Sequence, residues 1–398
     1  MYSTARFTTS MKGVVFPKMI KLFDEDSYIK SFPASVVSCE KYQDGYLVLL
    51  DKTAFFPTAG GQECDSGTLD GMEVLSVILR DDEVYHFVKN PIEVGKSVTG
   101  EIYWADRLRK MQHHSAEHIV SGLAFSRFGL TNVGFHLGAD DVTIDYDAEI
   151  SESGLTELER LANEVVRQNL EISASYPTEA ELENISYRSK KEILGRIRIV
   201  TIPGVDVCAC CAPHVRRTGE IGLIKFTDMM RHRGGVRIRM ICAEDALCDY
   251  SEKQKNAYEI SKMLSVPQNE VADGVSRVLD ELSEQKRKNS ELQRDFAAFE
   301  AEKVPETDGN YLAFTALSDK NAQRLLATEA KKRVNGVFML VSGDDEAGYS
   351  YIILGETASE AAKKLNAALS GKGGGKNGMA EGRFFASKDR IEAEFKAL

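Results

Sequence analysis

Two clusters of metal-ligating side chains, about 90 residues apart, constrain this chain more than any other feature of its sequence. The first is Gln112-His113-His114-Ser115-Ala116-Glu117-His118, inside a helical pattern over 106–128. Leu108, Met111, Ser115, Ile119 and Leu123 fall broadly on one side of that helix. His114 and His118 are four apart, so they share a face and their rings can converge on one ion. His113 points elsewhere. Ser115 stands where the zinc-protease pattern H-E-x-x-H has its Glu, so that chemistry is not implied. One core histidine and one surface histidine would give the same spacing.

The second cluster is Cys208-Ala209-Cys210-Cys211-Ala212-Pro213-His214. Thiols and an imidazole this close suit a borderline-soft ion such as zinc. Cys208 and Cys211 form a C-x-x-C that could begin a zinc ribbon, but no second C-x-x-C follows. Cys210 and His214 could instead complete the earlier histidine pair. Only seven histidines occur in 398 residues, and three stand at these positions, which favours one joint nitrogen–sulfur site over buried, metal-free thiols.

Composition narrows the class. Hydrophobic residues make up 43% and charged residues 28%, enough for ordinary cores and unlike a disordered chain. The formal net charge of −11 argues against a whole surface that grips nucleic acid, but not against a local basic patch. No run approaches the length of a membrane-crossing helix. Seven unevenly spread cysteines suit a reducing cytoplasm better than a secreted disulfide scaffold. Met1–Pro17 lacks the long apolar stretch of a secretory signal and reads as a loosely ordered extension, or an upstream start, ahead of the first patterned segment.

The pattern changes along the chain. Between about 20 and 105, Ala34–Val37, Tyr46–Leu50, Met72–Leu79 and Val84–Val88 read as short strands separated by Gly45, Gly67, Gly71 and Pro91, which predicts a small β-barrel. Residues 106–250 read as α+β, with a second amphipathic helix over 154–170 and strands at 197–202, 221–226 and 236–242. Residues 251–305 read as one long charged helix. Its positions Val275, Val278, Leu282, Gln285, Asn289, Leu292, Phe296 and Phe299 step alternately by three and four, a seam for a coiled coil or for packing on a domain. Residues 306–398 read as a mixed α/β domain ending in a glycine-rich run.

Three further features bear on binding. Gly60-Gly61-Gln62 lets the backbone turn tightly and approach a ligand, with an amide at its tip. Arg216, Arg217, Arg231, Arg233 and Arg237 form a basic excess after the second cluster, suited to phosphates. Lys372, Lys376 and Arg383 flank the glycine-rich run, whose amides could approach nucleic-acid phosphates. That run lacks the form of a nucleotide P-loop, so ATP is not implied.

Together these residues resemble the long form of the AlaX group of alanyl-tRNA editing proteins, relatives of the editing and C-terminal parts of alanyl-tRNA synthetase. The likeness extends over nearly the whole chain from about residue 19. It rests on Gly60-Gly61-Gln62 with Asp65 and Gly67, on His114-x-x-x-His118, and on Phe135-His136-Leu137-Gly138 followed by Thr143-Ile144-Asp145. It rests also on Cys210-x-x-x-His214 with Val215, Thr218, Glu220, Ile221 and Gly222, and on the Gly373–Gly382 tail. The resemblance implies one zinc per chain on His114, His118, Cys210 and His214, and hydrolysis of serine, or glycine, wrongly attached to alanine tRNA. Gly60, Gly61, Gln62, His136 and Thr143 are the candidate substrate contacts. The family usually has two glycines and a threonine where this chain has Cys211-Ala212-Pro213, and proline removes a backbone donor.

The expected fold is thus a multidomain α+β protein. Residues 1–105 form the barrel with the Gly-Gly-Gln loop, and 106–250 a zinc-dependent editing domain. Residues 251–305 form a helical arm able to pair two copies, and 306–398 a C-terminal domain for tRNA or dimer contacts. No aminoacylation core is recognisable, so hydrolysis would act on tRNA charged elsewhere. The alternatives are a zinc-containing RNA-binding module that has lost catalysis, and a metallohydrolase of a small ester.

Overall fold

The computed structural model describes residues 19–138, 142–189 and 196–398. The reading of Met1–Pro17 as an extension lies outside the described residues. The chain divides into two compact units, the first ending at Lys255 and the second beginning at Asn256.

After a short strand at Ile20–Lys21 and a helical turn at Leu22–Glu25, the first unit has six antiparallel strands: β1 (Ser31–Tyr42), β2 (Gly45–Leu50), β3 (Gly67–Leu69), β4 (Met72–Arg80), β5 (Glu83–Val88) and β6 (Ser97–Ile102). They close on one another in the order β1-β2-β5-β4-β3-β6. The residue alternation explains the closure. Phe32, Ala34 and Val36 of β1 are buried, while Ser31, Pro33 and Ser35 between them are exposed. Phe32, Leu50, Phe55, Leu69, Val77, Val88 and Val98 fill the interior. Between Thr53 and Gly67 the chain leaves the barrel, passes through buried Phe55 and Phe56, and forms the Gly60-Gly61-Gln62 loop.

Helix α1 (Trp104–Phe128) follows and stops at Gly129, whose left-handed conformation lets its N–H bond back to the last turn. From Met111 to Ala124 only Gln112 is not buried, so α1 is a central helix and not the one-sided helix its apolar residues suggest. Four antiparallel strands lie against it: β7 (Asn132–Leu137), β8 (Val142–Tyr146), β11 (Ile224–His232) and β12 (Gly235–Cys242), in the order β11-β12-β8-β7. Ile144, Tyr146, Ile238 and Met240 pack with Met111, Ile119 and Val120. Helix α2 (Glu152–Gln168), capped by Ser151, adds Leu158, Ala162, Val165 and Val166 to that core. The short strands β9 (Ile199–Ile202) and β10 (Asp206–Ala209) pair antiparallel and carry the second ligand cluster.

The single helix expected over 251–305 is two. Helix α3 (Ala243–Leu264) begins earlier and crosses the boundary between the units, and α4 (Val271–Glu302) follows. The break falls at Ser265, with φ +54°, and Pro267, which cannot continue a helical bond ladder. Along α4 the residues Val275, Val278, Leu282, Leu292, Phe296 and Phe299 are between 41% and 67% exposed, so the heptad stripe faces outward. A different stripe, Ala297 and Ala301, packs with Leu317, Leu326, Val334 and Phe338.

The remainder of the second unit is a five-stranded sheet with helices α5 (Lys320–Lys331), α6 (Ala358–Ala368) and α7 (Lys388–Lys396). Its strands are β13 (Tyr311–Thr315), β14 (Phe338–Asp344), β15 (Gly348–Leu354), β16 (Lys372–Lys376) and β17 (Met379–Phe384), ordered β13-β14-β15-β17-β16. The glycine-rich run is therefore an edge strand, β16, exposed along its whole length. No helix among the described residues is long and apolar enough to cross a membrane.

Candidate metal centre

Helix α1 places Asp106, Lys110, His114, His118 and Gly122 at intervals of four, on one stripe. Two segments come to that stripe. The first is the Gly60-Gly61-Gln62 loop, whose glycines have φ +63° and +84°. A side chain on Gly61 would meet the Phe135 carbonyl oxygen at 2.4 Å. The loop is tied down by Leu137 N–H to Gly61 O (2.8 Å) and by Lys110 Nζ to Cys64 O (2.6 Å). At its base the fully buried Arg107 guanidinium pairs with Asp65, Nε to Oδ1 at 2.8 Å, and reaches Ala54 O.

The second segment is the stretch after β10. Ala212 is buried in the barrel's apolar core, with Cys210 packed against it. Arg198 donates to Cys210 O (3.1 Å) and Ala212 O (2.9 Å), so carbonyls beside Pro213 are satisfied without a donor from proline. Cys211 Sγ would lie 3.7 Å from a Cβ on Gly60, so the two segments also abut each other.

The result is that His114, His118, Cys210 and His214 offer one ligand atom each, all within 4.8 Å of one another. Cys210 Sγ lies 3.4 Å from His114 Nε2 and 3.4 Å from His214 Nε2. A tetrahedral zinc with ordinary Zn–N and Zn–S bonds has N···S edges of about 3.5 Å, so these two edges match such an ion. The outer ring nitrogens are engaged as well. His114 Nδ1 meets Gln62 Oε1 at 2.8 Å, His118 Nδ1 meets Asp206 Oδ2 at 2.8 Å, and His214 Nδ1 lies 3.1 Å from Ser115 Oγ. Each ring therefore turns its Nε2 inward, the arrangement that metal-binding histidines use.

Charge follows the geometry. Burial opposes ionisation of the Cys210 thiol, but the facing His114 and His214 rings outweigh it and hold its pKa well below the usual thiol range. Burial pushes His214 down to about 3, so its ring is neutral at neutral pH. Burial disfavours a charged His118 too, yet its hydrogen bond to Asp206, with the Cys210 sulfur facing it, outweighs burial and raises its pKa well above the ordinary value. Asp206 is in turn gripped by Arg188, Nε to Oδ1 at 2.7 Å and Nη2 to Oδ2 at 2.8 Å.

The other candidate residues lie elsewhere. Thr143 and His136 are partners across β8 and β7. Strand alternation turns them to the sheet face opposite Ile144 and Phe135, the residues that meet α1. His136 Nε2 lies beside Gly138, next to Glu63 of the Gly-Gly-Gln loop. The basic excess is matched by acids and carbonyls distant in sequence. Arg216 pairs with Asp26 (3.1 Å) and lies over the Tyr28 ring, and Arg217 donates to Asn169 O (2.9 Å). Arg231 pairs with Glu149 (3.1 Å) and Arg237 with Asp145 (2.6 Å). Arg233 occupies the β11–β12 turn with φ +47°. In the second unit Lys372 stands opposite Arg383 across β16 and β17, and Lys376 opposite Met379.

Sequence reasoning missed Asp206, Arg188 and Ser115 as partners of the cluster. The signal for Asp206 was a lone acid between Val205 and Val207, two residues before Cys208. That for Ser115 was its place between the two histidines.

Fold and cluster define an α+β protein with a candidate three-histidine, one-cysteine metal centre. A family model described as the threonyl and alanyl tRNA synthetase second additional domain matches residues 197–257, the segment holding Cys210 and His214. The chain is 31% identical to alanine–tRNA ligase of Pyrococcus abyssi over 96% of its own length and 44% of the ligase. It is 26% identical to alanyl-tRNA editing protein Aarsd1 of Danio rerio over 93% of its own length and 95% of that protein. The Aarsd1 of Rattus norvegicus is likewise 26% identical, over 96% and 97%. The chain thus spans less than half of the ligase it matches and nearly the whole of the editing proteins. These likenesses support an AlaX-like alanyl-tRNA editing protein.

Proposed function

We propose that this protein hydrolyses the ester joining serine, or glycine, to alanine tRNA, acting in the cytoplasm on tRNA charged by another enzyme. One zinc ion would be held by His114, His118, Cys210 and His214. The observation that carries this reading is the convergence of three imidazoles and one sulfur from α1 and the segment after β10, with every ring held from behind. The relatives named as editing proteins, similar along almost their full length, supply the substrate class.

Bound zinc would supply a Lewis acid beside the ester. The chain's own residues set the rest. The rings of His114 and His118 are fixed by Gln62 and Asp206, so the donor set needs no reorganisation when substrate arrives. The Gly61 backbone packs directly on Phe135, which holds the loop, and Gln62 with it, beside the ligands. Gln62 spends its carbonyl on His114, while its amide Nε2 is buried with no hydrogen-bond partner. That donor is the group we assign to a substrate oxygen. A site that pairs the serine hydroxyl would leave polar atoms unpaired with alanine, the basis for sparing correctly charged tRNA.

The body of the tRNA would meet the second unit. Lys372, Lys376 and Arg383 lie on the exposed edge strand and its neighbour. A side chain on Gly374 would meet nothing within 4 Å, so its own packing does not demand glycine there, and a phosphate backbone could approach it. The outward heptad stripe of α4 is the surface proposed for pairing two copies.

The test is deacylation of alanine tRNA charged with serine, glycine or alanine, by wild type and His118→Ala. Release of serine but not alanine, lost in the variant, is expected. Equal release of alanine, or release unaffected by the substitution, contradicts the reading. Salt-sensitive tRNA binding without turnover would make it the non-catalytic module instead.

A further inference from the structure

The three histidines of the cluster are not held alike. Behind His114 stands a neutral amide, behind His214 a hydroxyl, and behind His118 a carboxylate, Asp206. Asp206 accepts from His118 Nδ1 at 2.8 Å and takes a two-pronged grip from Arg188 at 2.7 and 2.8 Å. Its side chain is 1% exposed and that of Arg188 17%. Arg188 is itself stitched to β10 on both sides, N–H to Val207 O at 2.8 Å and O from Ala209 N–H at 2.9 Å. A buried carboxylate with so complete a set of partners cannot rotate away from the ring it faces.

We infer that Asp206 and Arg188 are positioning residues that fix the ring of His118 on the ion and make it the firmest of the three imidazole ligands. The inference rests on the zinc reading above. A carboxylate behind an imidazole sets the tautomer that leaves Nε2 free for a metal, fixes the ring plane and strengthens the nitrogen as a donor. Arg188 acts one step further out. By taking up both carboxylate oxygens in a fork, it fixes the one direction in which Asp206 can present Oδ2. An amide or a hydroxyl in the same position supplies orientation without the charge.

The test uses the full chain and variants Asp206→Asn and Arg188→Gln. Apparent zinc affinity is read by competition with a chelator. Geometry is read from the visible absorption of the cobalt-loaded protein. Asp206→Asn preserves shape and removes charge, and is expected to weaken zinc binding about 10–100-fold and to alter the cobalt bands. Arg188→Gln, which leaves Asp206 in place, is expected to do the same to a lesser degree. Leu158→Ala, a cavity in the core of the same unit, serves as the control that lowers melting temperature without moving either readout. If Asp206→Asn does not fold, Arg188→Gln alone decides. Folded variants that bind zinc within twofold of wild type, with unchanged cobalt bands, overturn the inference and leave the zinc reading standing. A wild-type protein that takes up no zinc overturns both.

Discussion

Gly122 and Asp206 are in direct apposition: a Cβ on the glycine would lie 2.8 Å from Cβ of the aspartate and 2.4 Å from Val205 O. The helix that carries His118 thus lacks a side chain one turn further on, and β10 enters that gap to bring Asp206 behind the ring. Gly122→Ala removes a poor helix former, worth about 1 kcal/mol in its favour, but the close backbone contact leaves no room. Net destabilisation of about 1–3 kcal/mol is expected by urea unfolding, with weaker zinc binding. A more stable variant would show that the gap is not needed.

Asp65 and Arg107 form an ion pair with both side chains wholly buried. Asp65 also accepts from Phe56 N–H at 2.5 Å, so the pair clamps both ends of the Gly-Gly-Gln excursion. Arg107→Met would strand a buried carboxylate and should cost about 3–5 kcal/mol. Adding Asp65→Leu should restore part of that loss. Chemical unfolding of both variants tests this, and a double variant less stable than the single one would count against it.

Gly61 should tolerate no side chain. Its φ of +84° and the 2.4 Å approach to Phe135 O mean that Gly61→Ala must displace the loop and carry Gln62 away from His114. A fall in serine release of about tenfold or more is expected, together with a loss of stability of about 1–3 kcal/mol from the strained backbone. Undiminished release would remove the loop from the site.

A pH effect on stability should come from His86, inside the barrel. Phe55 N–H donates to Thr53 Oγ1, the Thr53 hydroxyl faces His86 Nε2 at 2.8 Å, and His86 Nδ1 faces Val48 O at 3.1 Å. Burial lowers its pKa to about 4. Between that value and the ordinary value near 6.5, the unfolded chain binds more protons than the folded one, so stability rises with pH across this window. The contribution, on the order of 3 kcal/mol, is complete above the upper value and gone below the lower. Melting curves of wild type and His86→Gln from pH 4 to pH 7 should show a shallower pH dependence in the variant. Parallel curves would contradict the assignment.

What was legible in the sequence depended on range. His114 and His118 declare themselves because four-residue spacing on a helix puts them on one face, and Cys210 and His214 because a thiol and an imidazole stand close together in the chain. The helix over Trp104–Phe128 and four of the six barrel strands were readable from local pattern, but Gly67–Leu69, where Gly67 reads as a break, and Ser97–Ile102 were not. The partners of the ligands were not readable either, since Asp206 meets His118 only through the packing of β10 on Gly122. The break at Ser265 and Pro267 carried its signal in the proline, but the continuous charge pattern on either side concealed it. Pairings such as Arg237 with Asp145 are set by the register of β12 on β8, which no local pattern reveals. The glycine-rich tail reads as a loop by propensity and becomes a strand because β17 offers it a hydrogen-bonded neighbour.

The most direct test of the central claim is zinc content per chain, measured by elemental analysis of purified wild type and of Cys210→Ala/His214→Ala. The account predicts one zinc per wild-type chain and almost none in the double variant. A wild-type protein without zinc, or a variant that keeps a full equivalent, would contradict it.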